Sequence, residues 1–279
     1  MTIPHPPANA SFSLTGRVAV ITGGAGLLGV QHAEAIAAAG GIPVLADIRA
    51  AAAHSEAARI ASHFGVAAIG VGVDITNEAS VESALHTVMQ SLGRVDILVN
   101  NAANNPKVED SGRNFARLEQ FPLALWSDDI AVGLTGAYLC AKVFGSAMAA
   151  AKRGVIINIS SEYGIIAPDQ RLYRVDGARD DQQPVKPVSY SVVKAGLHGL
   201  TMYLSTYWPQ AGVRANTITI GGVANGQPGE FLERAASRIP MNRMALPHEF
   251  QGALVFLCSD AASFVNGANL VVDGGKSVW

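Results

Sequence analysis

The sequence predicts a doubly wound α/β fold: a mostly parallel, seven-stranded sheet with helices on both faces. Three observations predict it. Seven short apolar runs alternate with segments of helical period, the pattern of repeated βαβ units with right-handed crossovers. A glycine-rich turn joins the first run to the first helix. Polar residues then recur where the runs end, which is where open parallel sheets bind ligands.

The elements follow in order. Val18–Thr22 is continuously apolar up to its last residue, as in a strand buried on both faces. Gly24, Gly26 and Gly29 form G-x-G-x-x-G and open a helix over Leu27–Ala39. The strand Ile42–Ala46 follows and ends at Asp47. Next come the strand Ala67–Val73, the helix Glu78–Leu92 and the strand Ile97–Asn100. The helix Trp126–Ala149 leads to the strand Val155–Ser160, and the helix Ser189–Trp208 to the strand Ala215–Thr219. The helix His248–Leu257 and the strand Leu270–Val272 complete the alternation. Two long connections stand out, Ala103 to Leu123 and Gly164 to Val188. Long loops in compact domains tend to be functional or disordered. The second is anchored at chemically interesting residues on both sides, so a substrate or subunit role is expected. Its charges balance, so it is no anion funnel. Residues 1–13 read as a flexible tail, and 14–279 as one domain with an insertion at about 165–188.

Two motifs carry chemistry. Glycines at the first turn allow close backbone approach to a pyrophosphate, and the helix N-terminus supplies free N–H groups. Asp47, about twenty residues on, can take both ribose hydroxyls of a dinucleotide. The second motif is Tyr190 and Lys194 in Ser189-Tyr190-Ser191-Val192-Val193-Lys194. Four residues apart on a helix, they share a face. The ammonium is expected to lower the phenol from its usual pKa of about 10, making a general acid/base.

With these motifs the chain resembles the short-chain dehydrogenase/reductase family along nearly its whole length. The resemblance implies a single-domain Rossmann fold and an oxidoreductase that moves hydride between a nicotinamide and a secondary alcohol or ketone. Asp74 with Ile75 matches the family's acid beside the adenine, and Asn100-Asn101-Ala102-Ala103 its Asn-Asn-Ala-Gly element. Asn158-Ile159-Ser160-Ser161 matches the strand end that carries the catalytic serine, with Ser161 the better fit. Val271-Val272-Asp273-Gly274-Gly275 matches the C-terminal element. The implied catalytic set is Ser161, Tyr190 and Lys194. The implied cofactor contacts are Gly23, Gly26, Leu27, Leu28, Gly29, Asp47, Asp74, Ile75, Asn101, Ala102, Tyr190, Lys194, Gly221 and Val223. Asp47 argues for NAD over NADP, because a carboxylate repels a 2′-phosphate; Arg49 is the residue that argues the other way.

Three departures from the family pattern matter. Gly133, in Val132-Gly133-Leu134-Thr135-Gly136, stands where relatives usually have an Asn that holds a proton-relaying water. Gly133→Asn is therefore expected to raise turnover, unless a bulkier neighbour already fills the space. Ile220-Gly221 replaces the usual Pro-Gly beside the nicotinamide but keeps the glycine. Thr22-Gly23-x-x-Gly26-x-x-Gly29 is more typical of the longer, sugar-nucleotide branch. Too little chain follows Tyr190 to build that branch's extra substrate domain.

Composition excludes other classes. A net charge of −2 gives no reason to expect nucleic acid or an anionic membrane. Residues 1–13 lack the basic start and apolar core of a signal peptide, and no uninterrupted apolar stretch is long enough to span a bilayer, so a cytoplasmic enzyme is expected. Cys140 and Cys258, each among apolar residues, read as buried free thiols. The seven histidines show no metal-ligand spacing, so no metal is expected; His32 reads as a surface or helix-packing residue. A hydrophobic content of 49% with only 15% charged residues suggests surface buried between subunits. The family habit makes that a homotetramer. The substrate is a small molecule, with a sugar-like or polyhydroxy alcohol favoured by the charged second loop. A 3-oxoacyl thioester reductase is the alternative within the family, and it would want a basic surface for an acidic carrier. A nucleotide-binding regulator without catalysis is the alternative outside it, against which the retention of Ser161, Tyr190 and Lys194 weighs.

Overall fold

The computed structural model describes residues 10–104 and 117–279. Residues 105–116, most of the first long connection, lie outside the described residues, as does the start of the expected tail. The observed strands are β1 Val18–Thr22, β2 Ile42–Asp47, β3 Ile69–Gly72, β4 Ile97–Asn100, β5 Gly154–Ser161, β6 Val213–Ile220 and β7 Asn269–Val272. They form one sheet in the order β3-β2-β1-β4-β5-β6-β7, with every pair parallel. The order reverses between β1 and β4, so the loops after those two strands part and leave a crevice.

Strand side chains alternate between two cores. Ala19, Ile21, Leu45, Val99, Ile157 and Ile218 point to one face, against α1 Leu27–Ala38, α2 Ala50–Phe64 and α8 Gln251–Cys258. Val18, Val20, Val44, Leu98 and Ile156 point to the other. There they meet α3 Glu78–Leu92, α5 Gly136–Ala150 and α6 Val188–Tyr207. Both faces are covered, which is why the strands read as continuous apolar runs rather than alternating ones. Asn77 caps α3, its side chain accepting from the Ser80 N–H at 3.2 Å.

The long helix predicted over Trp126–Ala149 is real but composite. α4 Leu123–Ile130 passes through a π-helical turn, Ala131–Thr135, into α5. Gly133 sits in that turn. The whole run Leu123–Ala150 is long and apolar enough to cross a bilayer by length and composition, contrary to expectation. Its apolar residues have another use: Leu139, Cys140, Phe144 and Met148 are buried against the sheet. The sequence reading named neither α2 Ala50–Phe64 nor α7 Gly229–Ala236, the latter strongly amphipathic but short. His32 is fully buried in α1, which settles it as a packing residue rather than a surface one. Cys140 and Cys258 are buried free thiols, as expected.

The second long connection is built from 3₁₀ turns, among them Gln170–Tyr173 and Asp180–Gln182. Its charges pair within it: Arg171 with Asp169, Arg174 with Asp180, Arg179 with Asp181. It leans on α7 and the turn after it: Arg234 on the helix donates to the Arg174 carbonyl at 2.9 Å, and Arg238, just beyond it, to Asp169 at 2.7 Å. The Tyr173 and Phe231 rings pack in a tilted arrangement, 6.1 Å between centroids.

Candidate active site

The β1–β4 crevice opens into a cleft of about 650 Å³ that runs from the glycine turn to the second long loop. The glycine turn shapes its floor. Gly23 has φ +62°, a left-handed conformation that suits only glycine at no cost. A Cβ on Gly29 would lie 2.1 Å from the Gly23 carbonyl oxygen. α1 therefore starts directly beneath the turn. Its N-cap is Gly26, with no side-chain cap, so the N–H groups of Leu27 and Leu28 remain available to an anion. Gly23, Gly26, Leu27 and Leu28 line the cleft. Gly29, predicted as a cofactor contact, does not. It is a packing glycine that lets helix and turn approach.

Asp47 ends β2 and lines the cleft with only 6% of its surface exposed. Its Oδ2 accepts the Ala25 N–H at 3.0 Å and its Oδ1 the Arg49 N–H at 3.0 Å. Oδ2 retains a second lone pair. Arg49 is folded back: its Nε reaches Asp47 at 3.4 Å and its Nη2 donates to the Ala25 carbonyl at 3.1 Å. Asp74 is held ionised below its usual range by the side-chain and backbone donors of Thr76, at 2.6 and 2.9 Å. Ile75, Ala102, Gly221 and Val223 line the cleft as expected. Asn101 does too, while its amide donates to the Thr22 carbonyl at 2.9 Å and so ties the end of β4 to the glycine turn.

Ser161, Tyr190 and Lys194 converge at the cleft's far end. A buried polar chain sets their relative position. Asn100 donates to Asn158 at 2.9 Å, Asn158 to Thr201 at 2.8 Å, and Thr201 meets Thr217 at 2.7 Å. These bonds lock β4, β5, β6 and α6 together. Ser160 is excluded: its Oγ donates to the Lys194 carbonyl at 2.8 Å, away from the cleft. Ser161 lines the cleft and hydrogen-bonds Tyr190. Lys194 Nζ donates to the Ile159 carbonyl at 2.8 Å and lies 5.8 Å from the Tyr190 ring centroid.

Ionisation differs from expectation. Burial pushes the Tyr190 phenol up to about 12, and the Ser161 hydrogen bond opposes it only in part. Burial, then repulsion from Lys186, brings Lys194 down to about 8. Removal from water thus outweighs the ammonium four residues away. Tyr190 is a neutral phenol at neutral pH.

Gly133 also differs. A Cβ there would lie 2.4 Å from Val193 Cγ1. The space an Asn would occupy is filled by the valine three residues after Tyr190, so the expected gain from Gly133→Asn is reversed.

Several cleft residues were missed in the sequence. Lys186 places its Nζ 3.8 Å from the Tyr190 ring centroid, and burial brings it down to about 8. Leu172 and Tyr173 come from the same long loop, Gln227 and Phe231 from around α7, and Glu162 and Lys276 from either side of the cleft end. The substrate or subunit role expected of the second long loop pointed towards Leu172, Tyr173 and Lys186 without singling them out, and Glu162 directly follows Ser161. Among the described residues no group of side chains could hold a metal.

Comparison with known proteins gives the same picture. The family described as enoyl-(acyl carrier protein) reductase matches residues 24–277. The chain is 34% identical to D-threitol dehydrogenase of Mycolicibacterium smegmatis, over 96% of this chain and 95% of that one. It is 34% identical to cis-4-hydroxycyclohexanecarboxylate dehydrogenase of Sinomonas cyclohexanicum, over 93% and 96%. A solved gluconate 5-dehydrogenase from Burkholderia cenocepacia, in complex with NADP and tartrate, superposes with a TM-score of 0.84 at 29% identity, covering 96% of this chain and 98% of that one.

Proposed function

This chain belongs to the short-chain dehydrogenase/reductase family, and we propose that it interconverts a polyhydroxy secondary alcohol and its ketone with NAD(H) as the hydride partner. The observation that carries the reading is the convergence of Ser161, Tyr190 and Lys194 at the end of a cleft whose other end is a dinucleotide cradle.

The residues fit that cofactor. The α1 N-terminus and the Gly23 turn would hold the pyrophosphate, Asp47 the adenosine ribose, Asp74 and Ile75 the adenine, and Tyr190 and Lys194 the nicotinamide ribose. Bound there, the nicotinamide would accept or give the hydride. Asp47 favours NAD, because its charge faces the place a 2′-phosphate would need, and Arg49 is spent on Asp47 and the Ala25 carbonyl.

The chain's own residues move the proton. In reduction, neutral Tyr190 gives its phenolic proton to the substrate oxygen. In oxidation, the phenolate takes the hydroxyl proton. Ser161 holds the same oxygen and steadies its developing charge. Lys194, fixed on the Ile159 carbonyl, keeps a positive field at the phenolate. Absorbance at the reduced-nicotinamide band, followed across polyols, hydroxy acids and simple secondary alcohols with each cofactor, tests the reading. Equal affinity for NAD and NADP, or an Asp47→Ala variant that leaves their ratio unchanged, would overturn the NAD assignment.

We also infer a homotetramer. Tyr138 on α5 and Met202, Tyr203 and Tyr207 on α6 are each at least half exposed, an apolar surface on the two helices that relatives pair across a two-fold axis. A monomeric mass by light scattering at micromolar concentration would refute it.

A further inference from the structure

We infer that Glu162 and Lys276 form a specificity clamp for a second hydroxyl of the substrate; the inference rests on the reaction proposed above. Glu162 directly follows Ser161, in a 3₁₀ turn at the end of β5, and is 3% exposed. Its Oε1 accepts from the Nζ of Lys276, which arrives from the C-terminal end of the chain. Asp273 holds that end in place, accepting the Gly275 N–H at 2.9 Å and the Ser277 N–H at 2.8 Å. Lys276 also sits 4.8 Å from the Tyr163 ring centroid and 3.4 Å from its hydroxyl.

The informative atom is Glu162 Oε2. It is buried and no donor reaches it at full hydrogen-bonding geometry; the Gly222 N–H is the one backbone donor near the carboxylate. A buried carboxylate oxygen without a well-placed donor is costly, and folded proteins seldom keep one without use. Both Glu162 and Lys276 line the cleft, beside Ser161. The missing partner is therefore a donor that enters through the cleft.

The chemistry of the clamp selects the ligand. The pair is neutral as a whole but offers a strong acceptor and a strong donor side by side. A hydroxyl can give its proton to Oε2 and accept from the Lys276 ammonium. A carboxylate can do only the second, and would meet Glu162 as a like charge. A hydrocarbon can do neither and would leave Oε2 unpaired. Because Ser161 and Glu162 are consecutive, the hydroxyl read by Glu162 lies on a carbon near the one that reacts. The clamp thus favours a polyol over a monohydric alcohol or a monohydric hydroxy acid.

The test compares kcat/KM for D-threitol, 2-butanol and 4-hydroxycyclohexanecarboxylate in the parent, Glu162→Gln, and the doubly apolar Glu162→Met/Lys276→Met. The double variant removes both charges together, so it guards against misfolding from a stranded lysine. The parent should prefer threitol. Both variants should lower the threitol-to-butanol ratio by about tenfold or more, the loss of one charge-assisted hydrogen bond, mainly through the KM for threitol. A ratio unchanged within about twofold in the folded variants, or equal losses on both alcohols, would show a purely structural ion pair and overturn the inference. So would a parent that prefers the carboxylate substrate. A parent that oxidises 2-butanol but not threitol would overturn the clamp and leave the proposed reaction standing. Oxidation of none of the three with either nicotinamide would overturn both.

Discussion

Gly133→Asn should harm this protein, although it restores the residue most relatives carry. The introduced Cβ would stand 2.4 Å from Val193 Cγ1, with Cγ2 at 3.4 Å and Cβ at 3.5 Å. Carbon atoms rest at about 3.5–4.0 Å, so the overlap exceeds about 1 Å. Val193 cannot step aside cheaply. It is β-branched, with one strongly preferred rotamer in a helix, and it is buried. Relief must come from moving α6 away from the π turn. Such overpacking costs about 1–3 kcal/mol, against a helix-propensity gain of a few tenths for Asn over Gly. At about 2–4 °C per kcal/mol, the melting temperature should fall by several degrees. Turnover should fall too, because α6 carries Tyr190 and Lys194, and a displacement of about 1 Å can cost about 10²-fold. Val193→Ser added to Gly133→Asn should recover much of both losses. Thermal melts and kcat of the parent, both single variants and the double variant give the coupling, expected at about 1–3 kcal/mol. A Gly133→Asn protein that melts at or above the parent temperature would refute the steric reasoning. So would additivity of the two changes within about 0.5 kcal/mol.

Three further outcomes are expected. Tyr190→Phe should lower kcat by about 10²–10⁴-fold, with cofactor affinity by fluorescence titration nearly unchanged; turnover within a few-fold of the parent would remove Tyr190 from proton transfer. With the phenol near 12 and so neutral at neutrality, kcat/KM for alcohol oxidation should climb with pH between about 7 and about 10, while ketone reduction should not climb over that range. An oxidative optimum on the acid side of neutrality would contradict this. His32 is buried with neither ring nitrogen hydrogen-bonded, and burial lowers it from 6.5 to about 4. Between those values the unfolded chain binds the extra proton, so stability is intact above about pH 6.5 and falls as pH drops towards about 4, by about 3 kcal/mol in all. Urea midpoints of His32→Leu should lack that part of the acid limb; identical acid limbs in parent and variant would rule it out.

Much of this molecule can be read from its residues in order. The strands are legible because both sheet faces are covered, which makes Val18–Thr22 or Ile97–Asn100 a continuous apolar run. The cradle is legible because a tight turn and a close helix approach admit only glycine at Gly23 and Gly29. Tyr190 and Lys194 are legible because four residues along a helix is one face. These are local rules, and local sequence obeys them.

What the sequence could not supply are the quantities set by neighbours distant in the chain. Whether Gly133 is a gap or a fitted position depends on Val193, about sixty residues away, and on the π turn that aims one at the other. The ionisation of Tyr190 depends on how completely the fold removes it from water, and burial outweighs the lysine that the spacing put beside it. Nothing local marks Glu162 beyond its place after a catalytic serine; the C-terminal end, remote in the chain, brings Lys276 to it. Helical and strand periods specify which way a residue faces. Packing, dehydration and the meeting of remote charges are properties of the closed volume, and only the tertiary structure decides them.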